Sequence, residues 1–297
     1  MASIGPTLHL MIDGSLRAVL KTRQGMMGSG AAGKGLGASL PGGQVFLAAE
    51  VVRDRDGFEL LRSGDTKHSM WRTVEWRLLR EALANAPRPL LDLGCGDGGF
   101  GALLTNSIEY GIDGDADAVS QCNPKVYGST HAADMRQSLP LTDRTIATIF
   151  SNSTLEHVEP LAPAIASIAR ALRPGGRLLA TVPTSGFTET MVAAYGTPFA
   201  ERLNRTLGHH NLWSWSRWEE LRRSNGFSAV SFRGYLSRPA IVWYCSRGLA
   251  PWPQIARRRR DWLWQHDLNA LRHHVDDSLR VTAEQETTCV LIDAVRS

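Results

Sequence analysis

Between Leu90 and Gly101 the chain runs Leu-Leu-Asp-Leu-Gly-Cys-Gly-Asp-Gly-Gly-Phe-Gly, and three kinds of residue in it have chemical consequences. Gly94, Gly96 and Gly98 let backbone come closer to a ligand than any side chain would allow. The apolar run Leu90 to Leu93, set off by Pro87 and Pro89, predicts a buried strand. A helix expected from about Phe100 turns its free N–H groups toward the same place. The spacing Gly94-x-Gly96-x-x-Gly99, with Asp113 about twenty residues on, satisfies a dinucleotide pattern. The carboxylates point elsewhere. Asp92 at the strand end and Asp97 inside the loop would repel a diphosphate by on the order of a few kcal/mol at intermediate dielectric. The same charges attract a ligand that carries an ammonium and a sulfonium. S-adenosylmethionine is such a ligand.

Four further segments follow in order. They are Gly111-Ile112-Asp113, then Ala133-Asp134-Met135 with Leu139-Pro140-Leu141, then Ser151 to Val158, then Ala171 to Leu179 around Pro174-Gly175-Gly176. Together with Leu91 to Gly98 they resemble the ordered motifs of the class I S-adenosylmethionine-dependent methyltransferases, in particular the type 11-like group that acts on small molecules. The resemblance is good from about Trp71 to Pro183 and looser to about Arg238. It departs from the family at the start of the fourth strand, where Ile146-Ala147 replace the usual acid. The likeness implies a cofactor site built from Asp92, Gly94, Cys95, Gly96, Asp97, Gly98, Asp113, Asp134, Met135 and Ser151. In it Asp113 addresses the ribose hydroxyls, with Asp115 as rival, and Asp134 and the Met135 N–H address adenine. The implied reaction displaces the sulfonium methyl onto a substrate oxygen or nitrogen. An alcohol or phenol would need a base, and His157, His209 and His210 are the candidates because imidazole titrates near neutrality.

The elements that must hold these groups are those of a doubly wound, Rossmann-like α/β fold, seven mostly parallel strands with an antiparallel edge strand. Thr145 to Asn152 and Arg177 to Val182 predict the fourth and fifth strands, with a helix from Leu161 to Leu172 between them. Phe227 to Tyr235 and Thr287 to Ala294 predict the sixth and seventh. Asp65 to Ala84 has an apolar face at helical spacing, and His68, Met70 and Trp71 on it are either a lid over the pocket or core packing. Thr184 to Gly208, rich in Thr and Gly, is expected as a long substrate-facing loop. Ser216 and Glu219 fit a capping box that opens a helix closed by Asn225-Gly226.

The organisation expected is three parts: a flexible Gly-rich extension over 1–43, a covering segment with one helix over 44–86, and the methyltransferase domain over 87–297 with an insertion at about 237–285. Within the extension, Leu8 to Lys21 fits a hairpin around Asp13-Gly14. Gly28 to Gly35 nearly spells a phosphate-binding loop but has Gly35 where a hydroxyl is required. A second hairpin turn is predicted at Asp56-Gly57.

At 297 residues with 43% apolar and 21% charged content, the chain has the composition of a globular protein. It has no apolar run of membrane-spanning length and no basic-then-apolar leader pattern, which favours the cytoplasm. Four scattered cysteines lack metal-ligand spacing, and no metal site is expected from them. His273 and Asp277 share a helical face but lack a third ligand. Arg257, Arg258, Arg259 and Arg260 precede Trp262 and Trp264, a grouping that suits an anionic membrane surface at its inner face, a lipid-linked acceptor or RNA, or else a solvated basic face. The function expected is methyl transfer to a small-molecule, sugar or lipid-linked acceptor. An RNA methyltransferase and a non-catalytic S-adenosylmethionine-binding protein are the alternatives.

Overall fold

A β-hairpin opens the part of the chain that the structure, a computed structural model, describes: residues 50–62, 66–249 and 257–297, with backbone alone for 222–224, 247–249 and 257–266. The extension over 1–43 lies outside the described residues. Strands β1 (Glu50–Arg53) and β2 (Glu59–Arg62) pair antiparallel around the expected turn. Asp54 Oδ1 accepts the N–H groups of Asp56 and Phe58, and Gly57 takes φ 82°. Helix α1 (Thr66–Leu83) follows, with Met70, Val74 and Leu78 fully buried on one face.

Alternating strands and helices then build the central sheet. They are β3 (Leu90–Leu93), α2 (Gly99–Leu104), β4 (Ile108–Asp113), α3 (Ala116–Val119), β5 (Tyr127–Ala132), β6 (Ile146–Asn152), α4 (Leu161–Ala171) and β7 (Leu172–Pro183). Two helices, α5 (Ser185–Tyr195) and α6 (Thr197–Leu207), occupy the stretch expected as a loop. Its threonines and glycines are punctuation: Thr184 Oγ1 caps α5 by accepting from Gly186 N, and Gly196 and Gly208 take φ 84° and 69° at the breaks. Helix α7 (Trp215–Ser224) begins one residue before Ser216, so that hydroxyl sits inside the first turn and bonds Ser214 Oγ rather than capping. After β8 (Phe227–Ser237) come α8 (Arg238–Leu249), α9 (Arg257–Arg280) and β9 (Thr287–Arg296).

The seven-stranded sheet has the order β5-β4-β3-β6-β7-β9-β8. Strands β3 to β7 pair parallel, and β9 runs antiparallel to both β7 and β8, one place in from the β8 edge. Side chains alternate between the two faces. Leu90, Phe150 and Leu179 join α1 in one apolar cluster, while Leu91, Ile149 and Leu178 join α4 in the other. Burial of each such side chain contributes roughly 1.5–3 kcal/mol. The strand order reverses at β3, which sends β4 and β6 to opposite sides and opens a crevice past their carboxyl ends. Among the described residues no helix is long and apolar enough to cross a membrane.

Candidate functional site

The glycine turn after β3 is shaped by contacts that exclude side chains. Gly94, Gly96 and Gly98 take φ 85°, 54° and 74°, and a Cβ at Gly94 would overlap the Thr154 side chain. The N–H groups of Gly94 and Cys95 both donate to Ile112 O, at 2.7 and 3.1 Å. Gly96 N donates to Asp113 Oδ2 at 2.9 Å, and Asp115 N to Asp113 Oδ1 at 3.0 Å. The end of β4 thus fixes the loop, and each Asp113 oxygen keeps one lone pair for a ligand.

A cavity of about 520 Å³ opens there, within the usual range for small-molecule sites. Of the sequence-predicted cofactor residues, Gly94, Asp113, Asp134 and Met135 line it. The rival Asp115 lines it too, capping α3 with Oδ1 bound to Asp117 N and Ala118 N. Asp92, Cys95, Gly96, Asp97, Gly98 and Ser151 do not reach its wall and instead hold the loop. Asp97 Oδ1 accepts from Gly99 N, and Ser151 Oγ donates to Leu93 O. The Cys95 and Cys122 thiols both lie against Gly96 O.

Asp92 corrects the electrostatic reading of the loop. It is buried beneath the turn and accepts a 2.7 Å bond from the Tyr127 hydroxyl. Burial pushes its carboxyl up to about 7, the Tyr127 bond opposing and Asp113 adding to the rise. The charge that a ligand meets comes from the cavity wall: Asp113, Asp115, Asp134 and Glu159 against the single guanidinium of Arg136. Asp134 is committed to that guanidinium through paired bonds near 2.8–3.1 Å, and the Arg136 contact holds its carboxyl below the usual range. Four acids facing one arginine favour a cationic ligand and disfavour a diphosphate. The lining therefore fits a cationic ligand such as S-adenosylmethionine.

Two histidines complete the wall. His157 and His210 line the cavity, whereas His209 packs edge-on against Phe187 and 5.4 Å from the His157 ring. The Gly208 to Asn211 loop is clamped onto the turn after β6. His210 N and Asn211 N both donate to Glu156 O, and Asn211 Nδ2 donates to the carbonyls of Leu155 and Val158. His157 Nδ1 lies 3.0 Å from Gly208 O, so that nitrogen carries the proton. Burial lowers the pKa of His157 and takes that of His209 down to about 3.

His68, Met70 and Trp71 line no part of the cavity. Met70 is fully buried, and Trp71 packs on Phe187 and Tyr244, with His68 edge-on to Tyr244. The helix meets the site through Glu75, which sequence reasoning missed. This fully buried carboxylate accepts bonds from Arg72, Trp71 Nε1, Ser153 Oγ, Asn152 Nδ2 and Tyr235 OH. It ties α1 to the end of β6 and to β8. The side chains of Arg257, Arg258, Arg259, Arg260, Trp262 and Trp264 lie outside the described residues, although α9 carries all six.

The cavity, its glycine floor and the sheet order define a class. Residues 91–180 match the family model of a methyltransferase domain, and the fold is the Rossmann-like one of the class I S-adenosylmethionine-dependent methyltransferase superfamily. S-adenosylmethionine is the cofactor of that superfamily. A segment of 103 residues, 32% of this chain, is 33% identical to a malonyl-[acyl-carrier protein] O-methyltransferase of Methylococcus capsulatus, and it spans 38% of that relative's length. Among solved structures, an S-adenosylmethionine-dependent methyltransferase of Thermotoga maritima, described as a possible histamine N-methyltransferase, superposes with TM-score 0.52 at 15% identity. That match covers 78% of this chain and 91% of the other. A geranyl diphosphate C-methyltransferase of Streptomyces coelicolor gives 0.51 at 16% identity over 78% and 82%. At these identities the structural likeness speaks for the fold alone.

Proposed function

We propose that this chain is an active methyltransferase that moves a methyl group to an oxygen or nitrogen of a small-molecule, sugar or lipid-linked acceptor. One observation carries the reading: an acid-walled cavity on a glycine floor, faced by His157 and His210. S-adenosylmethionine, when bound, supplies a methyl group already activated on a sulfonium. Asp113 and Gly94 hold the cofactor, and Asp113, Asp115 and Glu159 keep the cavity negative around its positive charge. Positioning of this kind is worth about 7–11 kcal/mol in favourable cases. For an alcohol or phenol acceptor, the exposed His210 ring takes the proton. His157 shapes the wall with His209 packed behind it, because burial opposes their protonation.

The lipid-linked option rests on the Arg257–Arg260 run with Trp262 and Trp264, which would sit on an anionic membrane surface at its inner face. Co-sedimentation with vesicles containing phosphatidylserine tests it, and absence of retention at low salt removes it.

The test of the main reading is a thermal-shift panel with S-adenosylmethionine, S-adenosylhomocysteine and NADH. A ligand at about 100 times its dissociation constant adds roughly 2.7 kcal/mol of stability. The first two ligands shift the protein and NADH does not; a shift with NADH alone overturns the reading. Transfer of labelled methyl to a panel of alcohols, phenols, carboxylic acids and amines then identifies the acceptor. His210→Ala lowers kcat for hydroxyl acceptors by about 10²–10⁴.

A further inference from the structure

A second centre adjoins the cavity where the turn after β6 meets the loop after α6. Glu156, His157 and His209 each bring one ligand atom to within 4.8 Å of the other two. The sequence gives no sign of it, since His209 stands about fifty residues from the other two. We propose that these three side chains form a binding site for a divalent transition-metal ion, with Zn²⁺ the best fit. Two imidazoles and one carboxylate are a known ligand set for zinc, with a further position left for water or substrate.

Proton bookkeeping supports the proposal. Gly208 O can only accept, so His157 Nδ1 is the protonated nitrogen and Nε2 presents a lone pair. That Nε2 faces Glu156 Oε1 at 3.6 Å. His209 is held in the same tautomer. Asn204 donates its Nδ2 to Thr188 Oγ1, so its Oδ1 is what faces His209 Nδ1, at 3.4 Å. Both imidazoles are thus oriented from behind through Nδ1, as ligating histidines are. Glu156 is 2% exposed, and its Oε2 is buried with no hydrogen-bond partner. Electron-rich atoms converge here, and the nearby cation, Arg72, is already bound to Glu75.

Ligands of a tetrahedral zinc at about 2.0–2.2 Å stand some 3.3–3.6 Å apart. The Glu156–His157 pair already meets this spacing at 3.6 Å, and the His209 ligand atom stands within 4.8 Å of both. Phe187, packed on His209 and on Trp71, supplies the apolar shell.

The experiment uses the full chain, tag removed and stripped with chelator, titrated with Co²⁺ followed by visible ligand-field absorption, and with Zn²⁺ followed by calorimetry. One ion per chain is expected, with tetrahedral or five-coordinate cobalt bands. His209→Ala, His157→Ala and Glu156→Gln each weaken binding at least tenfold, whereas His273→Ala leaves it unchanged. Retention of the S-adenosylhomocysteine thermal shift in His209→Ala shows that the variant is folded. Because metal binding is read without any methyl transfer, this outcome stands apart from the function proposed above. Octahedral-only spectra, absence of binding, or binding that the three substitutions leave untouched overturns the proposal. In the last two cases a proton shared by Glu156 and His157 is what the site holds.

Discussion

The two flanks of the cavity are built by different means. On the β3–β4 side, the acids are satisfied largely by backbone two residues on, Asp97 with Gly99, Asp113 with Asp115 and Asp115 with Asp117, and Asp113 also by the Gly96 N–H of the adjoining turn. On the α1 and α6 side, side chains bond to residues far away in the chain: Glu75 to the Ser153 and Tyr235 hydroxyls, and Asn211 Nδ2 to the Leu155 carbonyl. Local backbone geometry makes the first flank a general nucleotide cradle. Long-range contacts of single side chains build the second. Loss of a group on the first flank should therefore cost ligand binding, and on the second stability.

The largest effect is expected at Glu75. Removing it leaves the Arg72 guanidinium in the interior without its carboxylate, a change that costs about 3–5 kcal/mol in comparable buried pairs. Chemical denaturation of Glu75→Ala against the parent protein measures it. A loss under about 1 kcal/mol, the scale of a surface pair, would show that the network on this flank is not structural. Next comes Gly94→Val, which forces a side chain at φ 85° into Thr154. Binding of S-adenosylhomocysteine by calorimetry should fall at least a hundredfold, about 2.7 kcal/mol. If binding survives, the glycine floor does not touch the ligand and the division between flanks fails.

That division also explains what could be seen before the structure. Strand β3, its glycine turn and Asp113 were legible because a buried apolar run and obligatory positive φ leave marks in a few adjacent residues. Strand β5 was not, because Tyr127-Gly-Ser-Thr-His-Ala shows no apolar alternation and its burial is partial. Helices α5 and α6 were mistaken for loop because Thr184, Gly196 and Gly208 are caps and breaks, which look the same in composition as a flexible tract. Asp92 was placed correctly on its strand, but sequence does not show which way a carboxylate points, and Tyr127 claims it from below. Glu75 and Glu156 escaped notice for a related reason. A buried acid in an otherwise apolar run has meaning only once its distant partners are known.

A smaller effect concerns pH on the second flank. In the metal-free protein the folded state raises Glu156 to about 8. It therefore binds that proton more tightly than the unfolded chain does. The associated stability is full below the ordinary carboxyl value near 4.5 and is lost as pH rises toward about 8. His209, lowered to about 3, acts in the opposite sense, and stability is lost as pH falls below the ordinary imidazole value near 6.5. Glu156→Gln removes only the alkaline loss. Its gain over the parent should reach about 1–3 kcal/mol at pH 8 and vanish near pH 4. Urea midpoints across that range measure it, and a pH-independent difference would contradict the burial of a titrating acid.

The smallest effect falls on the first flank and tests its internal logic. Asp113 and Asp134 both line the cavity, yet Asp113 accepts backbone N–H groups from Gly96 and Asp115 on its two oxygens, whereas Asp134 accepts the N–H of Arg136 and is otherwise folded onto that residue's exposed guanidinium. An exposed ion pair is screened by water and forms and breaks at little cost, so Asp134 can turn toward a ligand by giving up that pair and one local backbone bond. Asp134→Asn should accordingly change S-adenosylhomocysteine affinity by less than about fivefold, and Asp113→Asn by more than about tenfold, since hydrogen bonds to charged groups are worth about 1.5–3 kcal/mol. Arg136→Ala separates the two causes. If it tightens binding, Asp134 is released toward the ligand; if it weakens binding, the arginine itself closes the adenine end of the cavity. Equal losses at Asp113 and Asp134 would mean that both acids are preorganised, and the backbone clamp on Asp113 would then have no special part in ligand affinity.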